Sequence, residues 1–227
     1  MAEAETVAAA ATKVDVDKYR EAAVERWESD LSELEQRNRN ESHPEDSVLF
    51  VGSSSIRRWD DIASDVSPYP VIQRGYGGAK WSDVAVFIDR LVRPHQFRAV
   101  VFFVGNDIRG KDDDKTPQEV AGLFSYVLQR VRQHDAKAPV FYVAVTPTNA
   151  RFAAWPDIKA ANRAARAVCD QADHTYFVGT ESLFLDSRGQ PREELFVDDQ
   201  LHLNRDGYVR WAAAIKSHLD TVLDGAN

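Results

Sequence analysis

The sequence of 227 residues contains one cysteine, Cys169, and no apolar run long enough to cross a bilayer. A single cysteine excludes an intramolecular disulfide and a metal site built from several thiolates. A membrane-spanning helix needs about 18 or more apolar residues in a row, so we expect no span. The first residues, MAEAETVAAAATK, lack the basic and apolar segments of a signal peptide. These absences do not determine the compartment. The protein is either cytoplasmic, or secreted or periplasmic with its signal peptide removed.

Positive charge is also scarce, because 28 lysines and arginines stand against 36 aspartates and glutamates, and the net charge is -8. No segment concentrates basic residues, which argues against a nucleic acid or an anionic membrane as partner. The acidic run KDDDK at residues 111–115 lacks the ligand spacing of a calcium loop, so we expect a solvated loop and no metal. The hydrophobic fraction of 44% is typical of a soluble globular domain.

Short β-rich runs alternate with helical stretches along most of the chain. Strands are predicted at SVLFVG, PVIQRG, RAVVFFVG, APVFYVAV and HTYFVG. Helices are predicted at AKWSDVAVFIDRLV, TPQEVAGLFSYVLQRVRQHD, WPDIKAANRAARAVCDQA and NRDGYVRWAAAIKSHLDTVLDG. This alternation predicts a parallel sheet with helices on both faces. We therefore expect an α/β fold, a three-layer α/β/α sandwich with about five parallel strands, over residues 46–227.

Residues 1–45 precede the alternation, and we expect them to form an N-terminal arm and an amphipathic helix. Between Val16 and Arg39, apolar residues recur at helical spacing with charged residues between them. They are Tyr19, Ala23, Trp27, Leu31 and Leu34. This stripe covers the surface of the domain itself or mediates a dimer, so the sequence leaves the oligomeric state open.

In sheets of this architecture, ligands bind beyond the carboxyl ends of the strands. Polar residues and glycines follow the predicted strands in GSSS, GYGG and GND, and DDQLH precedes the last helix. Acyl transfer needs a nucleophile, a base, a group that orients the base, and donors for the oxyanion. Each residue alone is better explained as a cap, turn or packing residue, but their joint occurrence favours a catalytic site.

The blocks GSSS, GYGG, GND and DQLH, in this order, resemble those of the SGNH hydrolase superfamily, also called GDSL-type esterases and lipases. The resemblance runs from about Val48 to Leu219. It implies a flavodoxin-like fold and hydrolysis of esters, often of short acyl groups on sugars and lipids, without a metal or another cofactor.

Carried over residue by residue, the resemblance implies Ser54 as nucleophile, His202 as base and Asp199 as the group that orients it. The oxyanion hole would consist of the Ser54 and Gly78 N–H groups and the Asn106 amide. The chain departs from the family pattern at Ser53, where Asp is usual, and at Ser55, where Leu or Ile is usual. The Asn block reads VGND where the family usually has G-x-N-D, so it is either one residue short or has Val104 in place of the Gly. The Asp-x-x-His block is intact.

We expect a serine esterase that acts on small acyl esters, acetyl esters first, with an acylated saccharide as the alcohol part. The alternatives are an acyltransferase and a catalytically silent carbohydrate-binding module on the same fold. Loop arginines and aromatics near a site indicate carbohydrate or carboxylate-bearing substrates. The candidate substrate contacts are Arg57, Trp81, Arg109, Arg151 and Trp155.

Overall fold

A computed structural model describes residues 14–225 of the chain, and a parallel sheet lies at its centre. The strands are β1 (Val48–Gly52), β2 (Val71–Gly75), β3 (Ala99–Phe103), β4 (Val140–Val143) and β5 (Thr175–Val178). Their order is β2-β1-β3-β4-β5, and all neighbouring pairs are parallel. This is the flavodoxin-like order, in which the switch point lies between β1 and β3. The predicted fold class and all five predicted strands are confirmed.

Helices connect the strands and precede the first one. They are α1 (Arg20–Asn40), α2 (Ser54–Arg57), α3 (Ile62–Asp65), α4 (Trp81–Val92), α5 (Pro117–His134), α6 (Trp155–Gln171), α7 (Glu181–Phe184) and α8 (Arg205–Leu219). Local sequence explains where the long ones begin. Thr116 accepts a hydrogen bond from the Glu119 N–H at 3.2 Å, and Pro117 opens α5. Asn204 caps α8 by accepting from the Gly207 N–H at 3.0 Å.

The sheet is buried on both faces, and strand residues alternate between two hydrophobic clusters. Leu49 and Val51 of β1 pack on the side of α1, α4, α5 and α6. Val48 and Phe50 pack on the opposite side with residues of α2, α3, α7 and α8. Because strands buried on both faces need apolar residues at every position, β1 and β3 read as unbroken apolar runs.

Helix α1 follows a short 3-10 turn (Asp17–Tyr19) and packs against α4. Its buried residues are Ala23, Trp27, Leu31 and Leu34, and they belong to the same cluster as α4 and α5. Arg90 of α4 pairs with Glu28 and Glu35 of α1, each at 2.7 Å. The apolar stripe of α1 is therefore buried against its own chain. The division of the chain near residue 45 stays a prediction.

Candidate active site

Three polar side chains from distant parts of the sequence meet beyond the carboxyl end of β1. Ser54 Oγ lies 2.9 Å from His202 Nε2. His202 Nδ1 lies 2.6 Å from Asp199 Oδ2. A carboxylate accepts only, so Nδ1 carries the proton toward Asp199 and Nε2 accepts from the Ser54 hydroxyl. The arrangement places a nucleophile, a base and a carboxylate that orients the base in one hydrogen-bonded chain.

Asp199 and His202 lie in a tight turn, residues 197–202, which we call the Asp–His turn. Gln200 has φ of +52° and donates its N–H to the Val197 carbonyl at 2.8 Å. The Val197 N–H donates in return to the His202 carbonyl at 2.9 Å. Asp199 Oδ1 accepts from the backbone N–H groups of Leu201 and His202, each at 2.9 Å. This turn brings both side chains of the Asp-x-x-His block to the same side, toward Ser54.

The hydrogen bonds of the Asp–His turn also fix the charge of Asp199. Burial by itself would raise the pKa of Asp199. The backbone N–H and the imidazole of His202, with the Leu201 N–H, outweigh burial and lower this pKa to about 2. The carboxylate is therefore ionised throughout the neutral range. It holds the His202 ring in one tautomer and stabilises an imidazolium.

Ser54 is the first residue of the short helix α2, which follows β1. Two residues earlier, Gly52 lies close to the backbone of β3, which explains why the residue is a glycine. A Cβ at Gly52 would lie 2.1 Å from the Phe103 carbonyl oxygen, so no larger residue fits there. The Ser53 N–H donates to the same oxygen at 3.0 Å. Ser53 occupies the N-cap position of α2 without a side-chain cap hydrogen bond. Within residues 14–225, the Ser54 N–H donates to no protein acceptor, so it is available to a ligand.

The loop after β2, residues 76–79, which we call the glycine loop, meets the residues that follow β3. A Cβ at Gly78 would lie 3.8 Å from Asn106 Nδ2, which shows how closely the two residues approach. Asn106 Nδ2 donates to the Ala79 carbonyl at 3.2 Å. The amide has a second N–H, and the Gly78 N–H has no acceptor among the described residues. Gly78 thus lies beside Asn106, and Asn106 lines the pocket together with Ser54, whereas Gly78 is not among the residues that line it.

Arg151 lies in the loop after β4 and orients the Asn106 amide. Its Nη2 donates to Asn106 Oδ1 at 2.7 Å, and its Nη1 donates to the Gly105 carbonyl. Because Oδ1 is occupied by a cationic donor, the Nδ2 end of the amide is the end left for other partners. Burial lowers the pKa of Arg151. The guanidinium lines the pocket at Ser54, so its place is compatible with the predicted substrate contact.

Asp107, next to Asn106, anchors the start of α4. The residue is 4% exposed, and both carboxylate oxygens accept from the Trp81 N–H, at 3.1 and 3.0 Å. Lys115 Nζ lies 3.5 Å away. Burial raises the pKa of Asp107 to about 6, although Lys115 and the Trp81 N–H oppose the shift. Asn106 and Asp107 together hold the glycine loop from one side.

A pocket with an empty volume of about 480 Å³, part of it open to solvent, adjoins Ser54. Its lining includes Phe103, Val145, Thr146, Thr148, Leu201, Leu203 and Trp211. Thr146 and Thr148 were not predicted as pocket residues from the sequence. Their position just after β4, at the carboxyl edge of the sheet, is the signal that indicates them. Both hydroxyls are buried without a hydrogen-bond partner among the described residues.

Comparison with known families shows the family to which the chain belongs. The model of the GDSL-like lipase/acylhydrolase family matches residues 44–210. The chain belongs to this family. The resemblance predicted from the four sequence blocks is thereby confirmed, and membership in a family of lipases and acylhydrolases supports ester hydrolysis. No curated protein matches this GDSL-like chain.

Solved structures share the fold of this chain at low sequence identity. One, described as a platelet activating factor from Streptococcus pneumonia, is 18% identical with a TM-score of 0.75, over 90% of this chain and 97% of the other. An acetyl esterase S10A mutant with acetate ion is 16% identical, with a TM-score of 0.64 over 80% and 100%. A carbohydrate esterase family 3 protein from Talaromyces cellulolyticus is 18% identical, with a TM-score of 0.63 over 79% and 99%.

Two of the predicted substrate contacts in this GDSL-like chain are wrong. Trp81 is 0% exposed and stacks on Tyr142, with ring centroids 5.4 Å apart, inside the hydrophobic core. Trp155 is 8% exposed and belongs to the same core cluster. Trp81 is the first residue of α4 and Trp155 is the first residue of α6. The first turn of each helix directs the side chain into the core rather than toward the pocket. An aromatic residue near a strand end is therefore not by itself a pocket residue.

Two predicted contacts of charged type lie outside the pocket lining. Arg57 is exposed and lies 3.9 Å from Asp30 of α1. Arg109 pairs with Asp113 at 2.5 Å, in the loop that follows β3. Neither residue lines the pocket at Ser54. Only a substrate that extends beyond this pocket would reach them.

Two further features of the chain concern metals and membranes. In the described part of the chain, no group of three or more His, Cys, Asp or Glu residues is arranged to hold a metal ion. None of the helices between residues 14 and 225 has the length and apolar character of a membrane span.

Proposed function

We propose that the protein is a serine esterase that hydrolyses short acyl esters, with acetyl esters of saccharides as substrates, through an acyl-enzyme on Ser54. The observation that carries the proposal is the hydrogen-bond chain from Ser54 through His202 to Asp199. A serine hydroxyl is a weak nucleophile unless a base accepts its proton. Here the base lies within hydrogen-bond distance before any substrate binds.

In the first step, Ser54 Oγ attacks the ester carbonyl carbon while its proton passes to His202 Nε2. The ionised Asp199, 2.6 Å from His202 Nδ1, stabilises the imidazolium that forms. The tetrahedral intermediate then collapses and the bond to the alcohol oxygen breaks. His202 gives its proton to that oxygen, the alcohol leaves, and the acyl group remains on Ser54.

Negative charge on the carbonyl oxygen needs donors that are in place before the reaction. The Ser54 and Gly78 N–H groups and one Nδ2 hydrogen of Asn106 are the donors we assign to it. Arg151 holds the amide so that Nδ2 is the group presented. Donors fixed in this way contribute more than donors that must reorganise, because the cost of ordering them is met on folding.

In the second step, water attacks the acyl carbon with His202 again as the base. A second tetrahedral intermediate forms on the same donors and collapses. The acid leaves, and Ser54 recovers its proton from His202. The cycle requires only these side chains and water.

The preference for a short acyl group rests on the limited pocket at Ser54. Its walls carry the aromatic rings of Phe103 and Trp211, which are mostly buried in the core. The acetyl esterase and the carbohydrate esterase family 3 protein share the fold, which supports acetyl and saccharide esters as the first substrates to test.

The proposal is tested by the rate of hydrolysis of p-nitrophenyl acetate, butyrate and octanoate, and of acetate release from an acetylated oligosaccharide. We expect kcat/KM to be highest for acetate esters. The variant Ser54→Ala should lose roughly 10⁴-fold or more of the activity. Ser55→Ala, which removes the adjacent hydroxyl, should remain at least about 100-fold more active than Ser54→Ala, because only the nucleophile forms the acyl-enzyme.

Other results would replace the proposal. Acetyl transfer to an added saccharide that outpaces hydrolysis would identify an acyltransferase. Saccharide binding without any turnover, unchanged by Ser54→Ala, would identify a binding module. A rate that rises from acetate to octanoate would contradict the short acyl preference while leaving the esterase intact.

A further inference from the structure

Helix α1 ends before residue 44, where the family match begins, yet it contacts the glycine loop. The contact is made by Trp27, which is 6% exposed and the largest buried side chain of the helix. The glycine loop carries Gly78, the proposed oxyanion donor. A side chain outside the matched segment therefore lies one residue from an oxyanion donor.

The closest contact is between Trp27 and Gly77. A Cβ at Gly77 would lie 2.0 Å from Trp27 Cζ3 and 2.2 Å from Cη2, so the indole rests directly on the glycine backbone. Gly77 has φ of +25°, a conformation that residues with side chains rarely adopt. Gly77 thus permits both the turn of the loop and the approach of the indole.

Trp27 also contacts Tyr76, the residue before this glycine. Its ring meets that of Tyr76 edge to face, with centroids 5.5 Å apart. Tyr76 is 1% exposed and its N–H donates to the Gly52 carbonyl at 3.0 Å, at the end of β1. The indole therefore contacts a residue that is hydrogen-bonded to the last residue of β1, two positions before Ser54.

The polar edge of the indole fixes its position. Trp27 Nε1 donates to Asp83 Oδ2 at 3.1 Å, and the same oxygen accepts from the Lys80 N–H at 2.8 Å. Arg26 lies over the Trp27 ring at 4.6 Å. One carboxylate thus joins α1 to the start of α4, just beyond the glycine loop.

The opposite side of the loop is held by the residues after β3, as Asn106 donates to Ala79 and Asp107 accepts from Trp81. The glycine loop is therefore clamped between α1 and the β3 loop. We propose that Trp27 is a positioning residue of the oxyanion hole, which sets the Gly78 N–H against Asn106 Nδ2. This role rests on the proposed esterase function and makes α1 a part of the catalytic unit.

The test compares full-length variants with p-nitrophenyl acetate as substrate. Trp27→Ala, and Trp27→Leu as a variant that keeps apolar bulk, should lower kcat by roughly 10- to 100-fold, because misplaced donors stabilise the oxyanion less. KM and the midpoint of the pH–rate profile should stay close to those of the parent, since Ser54, His202 and Asp199 are untouched. Trp27→Phe, which keeps a ring near Gly77, should recover most of kcat.

Leu34→Ala is the matched control, because it truncates another buried residue on the same face of α1, two turns from Trp27. It should destabilise the fold but keep kcat within about twofold of the parent. An active parent with unchanged kcat in both Trp27 variants, or an equal loss in Leu34→Ala, overturns the role of Trp27 and leaves the esterase standing. A parent that hydrolyses no ester overturns the proposed function and this role together.

Discussion

The Asp–His turn and the glycine loop both contribute to the site at Ser54, but they are held in different ways. The turn is stabilised mainly by hydrogen bonds within residues 197–202, and Asn149 and Ala150 of the loop after β4 add two more to Gln200. The glycine loop depends on Trp27, some fifty residues before it in the chain, and on Asn106 and Asp107 after it. A short motif can therefore specify the base and its carboxylate, whereas the oxyanion site depends on how distant elements pack.

The largest effect should come from the turn. Asp199→Asn replaces the acceptor of the His202 Nδ1 proton by a group that can donate, so the imidazole is held in the wrong tautomer. We expect kcat to fall by roughly 100- to 10,000-fold. Asp198→Asn removes the same charge from an adjacent exposed carboxylate, and its kcat should stay within about twofold. Similar losses in both variants would mean that net charge, and not the hydrogen bond to His202, is what matters.

The next effect tests the other region. Asn106→Ala removes the side-chain donor from the oxyanion hole and should lower kcat by about 100- to 1,000-fold. Because the nucleophile and base remain, the midpoint of the pH–rate profile should not move. A thermal melt is the control, since loss of the bond to Ala79 also loosens the glycine loop. A kcat within a few fold of the parent, in a folded variant, would remove Asn106 from the oxyanion hole.

A smaller effect is expected from the residue that orients Asn106. Arg151→Ala leaves Asn106 Oδ1 and the Gly105 carbonyl without their donor, so the amide can rotate. We expect kcat to fall about tenfold. Arg109→Ala removes the other arginine of this region, whose partners Asp113 and Asp114 lie outside the pocket. If kcat falls more in Arg109→Ala than in Arg151→Ala, our assignment of the two arginines is wrong.

The smallest effect concerns stability and pH at Asp107. Burial raises its pKa to about 6 from 3.8, so the folded state holds this proton more tightly than the unfolded state does. The contribution of Asp107 to stability therefore falls as pH rises from about 4 to about 6, and stays low above that. Asn at this position keeps an oxygen for the Trp81 N–H. The melting temperature of Asp107→Asn, relative to the parent, should rise by several degrees between pH 4 and pH 7.

The control for this prediction is Asp112→Asn, an exposed carboxylate in the following loop. Its melting temperature relative to the parent should change little over the same pH range. If the difference between Asp107→Asn and the parent instead falls with pH, the ion pair with Lys115, 3.5 Å away, outweighs burial.

The sheet was predictable because β1, β3 and β4 are continuous apolar runs, which is typical of strands buried on both faces. The rule that strand ends converge indicated where Ser54 and Asn106 lie, and the resemblance to the SGNH hydrolases implied the roles of Ser54, Asn106, Asp199 and His202. The short helices α2, α3 and α7 have four residues each. Four residues are too few for a periodic pattern, so the sequence could not show them.

The substrate contacts could not be predicted from position alone. Trp81 and Arg151 both follow strand ends, yet Trp81 is in the core and Arg151 lines the pocket. Trp81 is buried because the first turn of α4 faces the core. Arg151 lines the pocket because it donates hydrogen bonds to the Gly105 carbonyl and to Asn106 Oδ1. The role we assign to Trp27 was equally hidden, since only the folded chain brings that indole to Gly77.

The most direct test of the account is the intact mass of the protein after reaction with a small fluorophosphonate. It needs no assumption about the natural ester. We predict one adduct on the parent and none on Ser54→Ala, because only Ser54 has its proton accepted by His202. No adduct on the folded parent, or an adduct that persists in Ser54→Ala, would contradict the claim that Ser54 is an activated nucleophile.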